Sequence, residues 1–381
     1  MIKVWDYLEE YNLLRKDILE AVDRVFKGGT LIFGPKVKEF EEKFASYCEC
    51  KYGIGVGNCT DALYVALKGL GVGRGDEVIT VSNTAVPTVT AIVSAGATPV
   101  FVDIDQYSLM DVNQIEKMIT KKTKAIIPVH LFGQTCDMDP ILKIASMHDL
   151  KIIEDCAQSH GALYKGRKAG SLGDVGCFSF YPTKIFGAYG DGGFITTNNE
   201  EWYDKMNRLR FFGMERKTMS TGHWNGKYYC LEHGPDTSNS RLDEVQAAIL
   251  LVKLPYIDQW IDRRREIAET YKKNLSGTAL DLPKEAPGNR HGYYIYVVAH
   301  PERDKIMQEL VENDIHLNIS YPWPIHIMEG YQYVGWKEGD LPVTEKRAKT
   351  IFSLPMYPTL SDEKISITIE VLMKLLKKYN G

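Results

Sequence analysis

The sequence predicts an α/β fold: a mainly parallel sheet of seven strands, covered by helices on both faces, in a large domain over residues 1–250, and a smaller α/β domain over residues 251–381. Three observations predict it. Between residues 52 and 196, short apolar runs alternate with segments of helical periodicity, the pattern of strands joined by crossover helices. A chain of 381 residues exceeds one ordinary hydrophobic core. Past residue 240 a long helical stretch interrupts the alternation, and a second, shorter α/β pattern follows it.

Taken in order, Trp5 to Val25 is amphipathic, and Gly28, Gly29 and Thr30 end it before a helical pattern resumes in LIFGPKVKEFEEKFASYC. Strands are expected at Tyr52–Gly57, Val78–Val81, Pro99–Asp103, Ala125–His130, Lys151–Glu154, Gly176–Phe180 and Phe194–Thr196. Helices such as Thr88–Ser94 and Pro140–His148 fall between most of them. Gly192 and Gly193 permit a tight turn that makes the last strand antiparallel, and Gly71, Gly73 and Gly75 read as a helix C-cap and turn. Arg208 to Ser238 breaks the rhythm with Arg210, His223, Trp224, Tyr228, Tyr229 and His233; it reads as a cover for the site or as packing between subunits. Arg241 to Asn274 is strongly helical with a break at Pro255. Beyond it come a strand at Tyr293–Ala299, a helix at Glu302–Asn313, a short strand at His316–Ile319 and a last helix capped by Ser361.

Composition removes several classes of function. A formal net charge of −4 gives no electrostatic reason to bind nucleic acid or an anionic membrane. No apolar run approaches a membrane span, and the mixed, charged opening residues do not read as a signal peptide. Seven scattered cysteines, an odd number, are expected as reduced thiols in the cytoplasm, and Cys48 and Cys50 lack the spacing and partners of a zinc site.

Chemistry concentrates in three stretches. GDVGCFSFYPTKIFGAYGDGG, Gly173 to Gly193, puts Lys184 where an apolar strand gives way to a glycine-rich turn. Desolvation among apolar neighbours disfavours an ammonium and frees the amine to attack carbonyls; an ordinary loop lysine facing water is the plain alternative. LKIIEDCAQSH, Leu150 to His160, carries Glu154, Asp155 and Gln158 at the carboxyl end of a strand, where ligands of open α/β sheets bind. A carboxylate beside such a lysine suits pyridoxal phosphate, whose ring nitrogen must stay protonated, whereas Asp155 with His160 as a metal pair is the weaker reading and no metal is expected. Finally, YGIGVG runs into Asn58, Cys59, Thr60 and Asp61 and then a helix, which reads as a phosphate site at a helix start or as simple N-capping by Thr60 or Asp61.

Four motifs, GNCTDAL (57–63), EDCAQSHGA (154–162), SFYPTK with the following GDGG (179–193) and NSRLDEVQAAIL (239–250), together resemble the DegT/DnrJ/EryC1/StrS family of pyridoxal-phosphate-dependent nucleotide-sugar aminotransferases, over nearly the whole chain. The resemblance implies fold type I and a cofactor, pyridoxal 5'-phosphate, that Lys184 binds covalently. In that reading Asp155 pairs the ring nitrogen, Gln158 lies near the ring hydroxyl, and Ser179 holds the phosphate with the backbone around Thr60 and Asp61. Asn239 is expected to reach the cofactor of a neighbouring subunit, so the resemblance implies a homodimer with shared sites. It also places Gly28–Pro35 near the active site and makes Tyr321, His326 and Arg210, with Arg241, candidates for binding substrate. Two departures are visible: Ala85 stands where family members put an aromatic over the cofactor ring, and Ser320 where a histidine often precedes Tyr-Pro. The implied reaction moves an amino group from glutamate to a nucleotide-linked keto-deoxysugar, best a dTDP-3-keto-6-deoxyhexose aminated at C3. The amino sugar would serve a surface polysaccharide (lipopolysaccharide or capsule) or a glycosylated metabolite. Alternatives are C4 amination of a 4-keto sugar, a sugar dehydratase, in which histidine replaces the lysine, and a non-catalytic regulatory relative.

Overall fold

Seven strands form the main sheet of the computed structural model, which describes residues 1–214 and 234–379. They are β1 (Tyr52–Val56), β2 (Glu77–Val81), β3 (Thr98–Val102), β4 (Thr123–Ile126), β5 (Lys151–Asp155), β6 (Val175–Ser179) and β7 (Gly193–Thr197), in the spatial order β1-β7-β6-β5-β4-β2-β3. Neighbours run parallel except β7, which is antiparallel to both β1 and β6, as the glycine pair before it predicts. β6 and β7 are buried along their whole length, which is why they read as unbroken runs rather than as an alternation. At Gly53 a side chain is excluded, because a Cβ would lie 2.3 Å from the Phe194 ring.

Helices α1 (Leu8–Gly28), α2 (Pro35–Tyr47), α3 (Cys59–Gly69), α4 (Val86–Ser94), α5 (Met138–His148) and α6 (Glu200–Leu209) belong to this domain. α7 (Glu244–Lys253) packs on α1 and α2. Glu244 sets the start of α2: its carboxylate accepts from the amides of Lys36, at 2.9 Å, and Val37, at 2.8 Å. The turn at Leu254–Tyr256, built around Pro255, separates α7 from α8 (Ile257–Leu275).

Arg210, expected as a candidate for binding substrate, has a guanidinium engaged with the protein itself. It is buried, and its Nη1 donates to Glu41 Oε1 at 2.6 Å and to the Gly55 carbonyl at 2.5 Å, while the Gly55 amide donates to the same Glu41 oxygen at 3.0 Å. The pair thus satisfies backbone groups of β1, an edge strand whose polar groups would otherwise seek another chain.

In the C-terminal domain β8 (Tyr296–Ala299) pairs antiparallel with β9 (Ile351–Leu354), flanked by α9 (Arg303–Glu312), α10 (Pro342–Thr350) and α11 (Asp362–Tyr379). The strand expected from Tyr293 starts only at Tyr296, because Tyr293 takes a left-handed conformation with φ 47°. The strand expected over His316–Ile319 shrinks to Ile315–His316 and pairs in parallel with Ile2–Lys3. Ile2 therefore packs in one apolar cluster with residues of the C-terminal part, such as Ile315 and Phe352. Ser361 does cap the last helix, accepting from the Lys364 amide at 3.3 Å. Six cysteines among the described residues are buried free thiols. His223, Trp224, Tyr228, Tyr229 and His233, expected in a cover over the site, lie outside the described residues.

Candidate active site

β5 delivers two carboxylates to opposite faces of the sheet, as successive strand residues must. Glu154 is spent on structure: Oε1 accepts from the amides of Leu172 and Gly173, and Oε2 from Gly170 and from His130 Nε2 at 2.9 Å. His130, Glu154 and Cys156 form a compact buried cluster, but Glu154 already accepts four N–H donors.

Asp155 is buried and differently set. Its Oδ2 accepts from the Thr88 hydroxyl at 2.7 Å and its Oδ1 from the Ala157 amide at 3.1 Å, and Thr84 in turn bonds the Thr88 hydroxyl at 2.9 Å. Burial pushes the Asp155 carboxyl above its ordinary range, while the bonds from Thr88 and Ala157 and the charges of Lys184 and His130 pull it back. Both oxygens accept hydrogen bonds, the arrangement of an ionised carboxylate waiting for a cation or N–H.

Lys184 follows β6 in the turn Tyr181–Gly187. Its amide donates to the Tyr181 carbonyl at 2.9 Å, and the Ala188 amide closes the turn on Phe180 at 2.7 Å. The side chain is half-buried, with Nζ 4.7 Å above the centre of the Tyr294 ring. The Tyr294 hydroxyl bonds Thr183 at 3.0 Å, so the aromatic wall is fixed to the turn that carries the amine. The Lys184 charge acts on both Asp155 and His160. His160 is not half of a metal pair with Asp155: it is buried among Phe44, Phe178, Phe180 and Phe186. Burial, and then the Lys184 charge, push it down to about 3, so it is neutral at physiological pH.

The start of α3 corrects one detail of the expected phosphate site. The N-cap is Asn58, not Thr60 or Asp61: Asn58 Oδ1 accepts from the Asp61 amide at 2.9 Å, and its Nδ2 donates to the Asp61 carboxylate at 3.1 Å. The Asp61 amide is therefore already used. The amides of Cys59 and Thr60, which have no intrahelical acceptor by position, remain for an anion. Ser240, which sequence reasoning passed over beside Asn239, donates to the Asp61 carboxylate at 2.5 Å and accepts from the Gly57 amide at 2.8 Å. It thereby keeps the Asp61 charge engaged within the turn. Ser179, buried at the end of β6, accepts from the Tyr181 amide at 3.3 Å and keeps its hydroxyl proton to donate. Asn239 is exposed beside this turn and bridges to Phe211 through its backbone.

Gln158 accepts from the Phe132 amide at 2.8 Å and donates to the Tyr321 hydroxyl, leaving one amide hydrogen for a ligand. Phe132, Tyr293 and Tyr321 all take positive φ, at 61°, 47° and 63°. Strain at bulky residues costs on the order of 1–3 kcal/mol each and collects where surrounding structure enforces a site. His326, expected as a substrate residue, is fully buried, Nδ1 facing Ser82 at 2.8 Å and Nε2 facing Glu345 at 3.1 Å, and so joins the C-terminal part of the chain to the end of β2. Arg241 is half-buried with its guanidinium 5.1 Å from the centre of the Phe211 ring. Ala85 caps α4 and supplies no ring.

The residues fit pyridoxal phosphate by the chemistry of their donors. An amine stands near an acceptor-only buried carboxylate, and a helix start with two spare amides adjoins a serine hydroxyl.

Comparison with known proteins agrees. The model of the DegT/DnrJ/EryC1/StrS aminotransferase family matches residues 12–373. A dTDP-3-amino-3,4,6-trideoxy-alpha-D-glucose transaminase of Micromonospora megalomicea subsp. nigra is 48% identical, with 98% of each chain covered. A pleiotropic regulatory protein of Geobacillus stearothermophilus is 42% identical, with 99% of each covered. Among solved structures, S. venezuelae DesV superimposes with a TM-score of 0.92 at 37% identity, covering 97% of each chain.

Proposed function

The chain belongs to the DegT/DnrJ/EryC1/StrS aminotransferase family, and on that premise we propose that it transfers an amino group from glutamate to C3 of a dTDP-linked 3-keto-6-deoxyhexose. It is a pyridoxal-phosphate-dependent sugar aminotransferase of fold type I. When bound, the cofactor supplies an aldehyde and an electron sink. The protein supplies the rest. Lys184 Nζ would be the amine that holds the cofactor's aldehyde and, when free, the base that moves the proton at the donor's alpha carbon. Asp155, whose oxygens accept from Thr88 and Ala157, would favour a protonated ring nitrogen. The amides of Cys59 and Thr60 with the Ser179 hydroxyl anchor the phosphate, and Gln158 steadies the ring hydroxyl.

The observation that carries this reading is that Asp155 ends β5 and Lys184 stands in the turn that follows the adjacent parallel strand β6, with the charge of Lys184 acting on Asp155. C3 is favoured over C4 because the transaminase of Micromonospora megalomicea is named for a dTDP-linked sugar whose amino group is at position 3. Retention of Lys184 argues against a dehydratase, and an intact lysine–carboxylate pair argues against a purely regulatory role. We further read the enzyme as a cytoplasmic homodimer in which exposed Asn239 reaches the partner's cofactor phosphate. Its product would enter a surface polysaccharide or a glycosylated metabolite. The test is a panel of 3-keto and 4-keto nucleotide sugars offered with glutamate and scored by the mass of the aminated product. Amination of the 3-keto sugar alone is expected; amination of only the 4-keto sugar would move the assignment to C4, and none would reject it.

A further inference from the structure

The turn that carries Lys184 is held from behind by one helix. α7 faces it with Gln246 and, two turns on, Lys253. Gln246 Oε1 accepts from the Tyr189 amide at 3.1 Å and its Nε2 donates to the Tyr189 carbonyl at 3.4 Å. Lys253 Nζ donates to the Gly187 carbonyl at 2.5 Å. Gly187 sits at the narrowest point of the turn, where a Cβ would lie 2.5 Å from the Pro182 carbonyl oxygen and 2.7 Å from that of Tyr181. The Lys253 side chain is only 3% exposed; it pairs with Glu10 of α1 at 2.7 Å and lies 4.8 Å and 5.5 Å from the ring centres of Tyr189 and Trp260. A buried ammonium is costly to desolvate, and a well-packed apolar side chain commonly serves stability as well. What an apolar side chain cannot do is hold a carbonyl three residues from the reactive amine.

We propose that Lys253 is a positioning residue for the reaction: clamped by Glu10, it fixes the Gly187 carbonyl and thereby the turn that aims Lys184 Nζ. This rests on the reading of Lys184 as the cofactor-bearing lysine. Loss of the clamp lets the turn sample other shapes, which lowers the fraction of time the amine is correctly placed for proton transfer without altering the substrate-binding surface.

The experiment compares wild type, Lys253→Met and the double variant Lys253→Met/Glu10→Met, all as holoenzymes with the substrate pair identified by the panel. The single variant leaves Glu10 unpaired and loses stability. The double variant removes that unpaired carboxylate and recovers its thermal midpoint, and if the single variant does not fold it carries the test alone. In both, kcat falls at least tenfold while KM for each substrate stays within about threefold. Hydrogen exchange in peptides spanning residues 181–188 speeds up at least tenfold, while peptides of β5 and β7 are unchanged. A double variant with wild-type kcat and wild-type exchange in residues 181–188 would overturn the proposal. If instead wild type shows no visible absorbance from a lysine-bound cofactor, the assignment of Lys184 fails first, and the two failures are told apart.

Discussion

Thr88 offers the sharpest test of how the site keeps Asp155 charged. Thr88→Val preserves shape and removes the hydroxyl that donates to Asp155 Oδ2 at 2.7 Å, leaving the Ala157 amide at 3.1 Å on the other oxygen. Because the Thr88 proton points to the carboxylate, the hydroxyl accepts from Thr84, so the change also strands a buried Thr84 hydroxyl. A hydrogen bond to a charged group contributes about 1.5–3 kcal/mol, and each 1.36 kcal/mol is tenfold. Cofactor affinity measured in the Lys184→Ala background, where no covalent bond contributes, should therefore fall roughly 10- to 150-fold on adding Thr88→Val. The sign of the pH effect follows from the same bonds: burial already raises Asp155, Thr88 lowers it, and its loss raises it further, so the acidic limb of kcat/KM moves to higher pH. Thr88→Ser, which keeps the donor, should restore most of the affinity. Affinity within twofold of the parent, with an unmoved acidic limb, would refute the account of how Asp155 stays ionised.

Two further expectations follow from the buried histidines and the exposed asparagine. His160 and His291 are both pushed down to about 3 by burial, with the neighbouring Lys184 and Arg265 charges adding to it. The unfolded chain takes up protons on both below about pH 6.5 while the fold refuses them, so stability falls as pH drops from there toward 3, by about 2 kcal/mol per histidine at pH 5. Urea unfolding of His291→Asn should recover about half of the wild-type loss between pH 7 and pH 5 attributable to this pair, and an undiminished loss would contradict the assignment. Mixed dimers of inactive Lys184→Ala and inactive Asn239→Ala chains should regain activity, since one of the two sites would be complete; verified mixed dimers without activity would argue against shared sites.

Much of this architecture was legible because it is written locally. Strands buried on both faces announce themselves as apolar runs, and Lys184 and Asp155 follow from standing where those runs end. What was not legible depends on partners distant in the chain. Arg210 read as a candidate for binding substrate on a polar stretch, since nothing nearby announces Glu41, which meets it across the edge of β1. His326 was taken for a substrate residue, yet both its nitrogens are engaged by Ser82 and Glu345. At the phosphate turn the helix start was correct, but three capping residue types in four positions left the choice to tertiary contacts, and Ser240 decided it by engaging Asp61. Tyr294 and Lys253 carried no local signal, one an aromatic at a strand edge and the other a lysine on a helix, until the fold brought them to the turn of Lys184.

The central claim is that one particular amine carries the cofactor. Borohydride reduction of the holoenzyme, followed by peptide mapping, tests it directly. The peptide containing Lys184 should bear the added mass of reduced cofactor, and Lys184→Ala should bear none while still binding cofactor noncovalently. Label on a different lysine, or label that persists in Lys184→Ala, would contradict it.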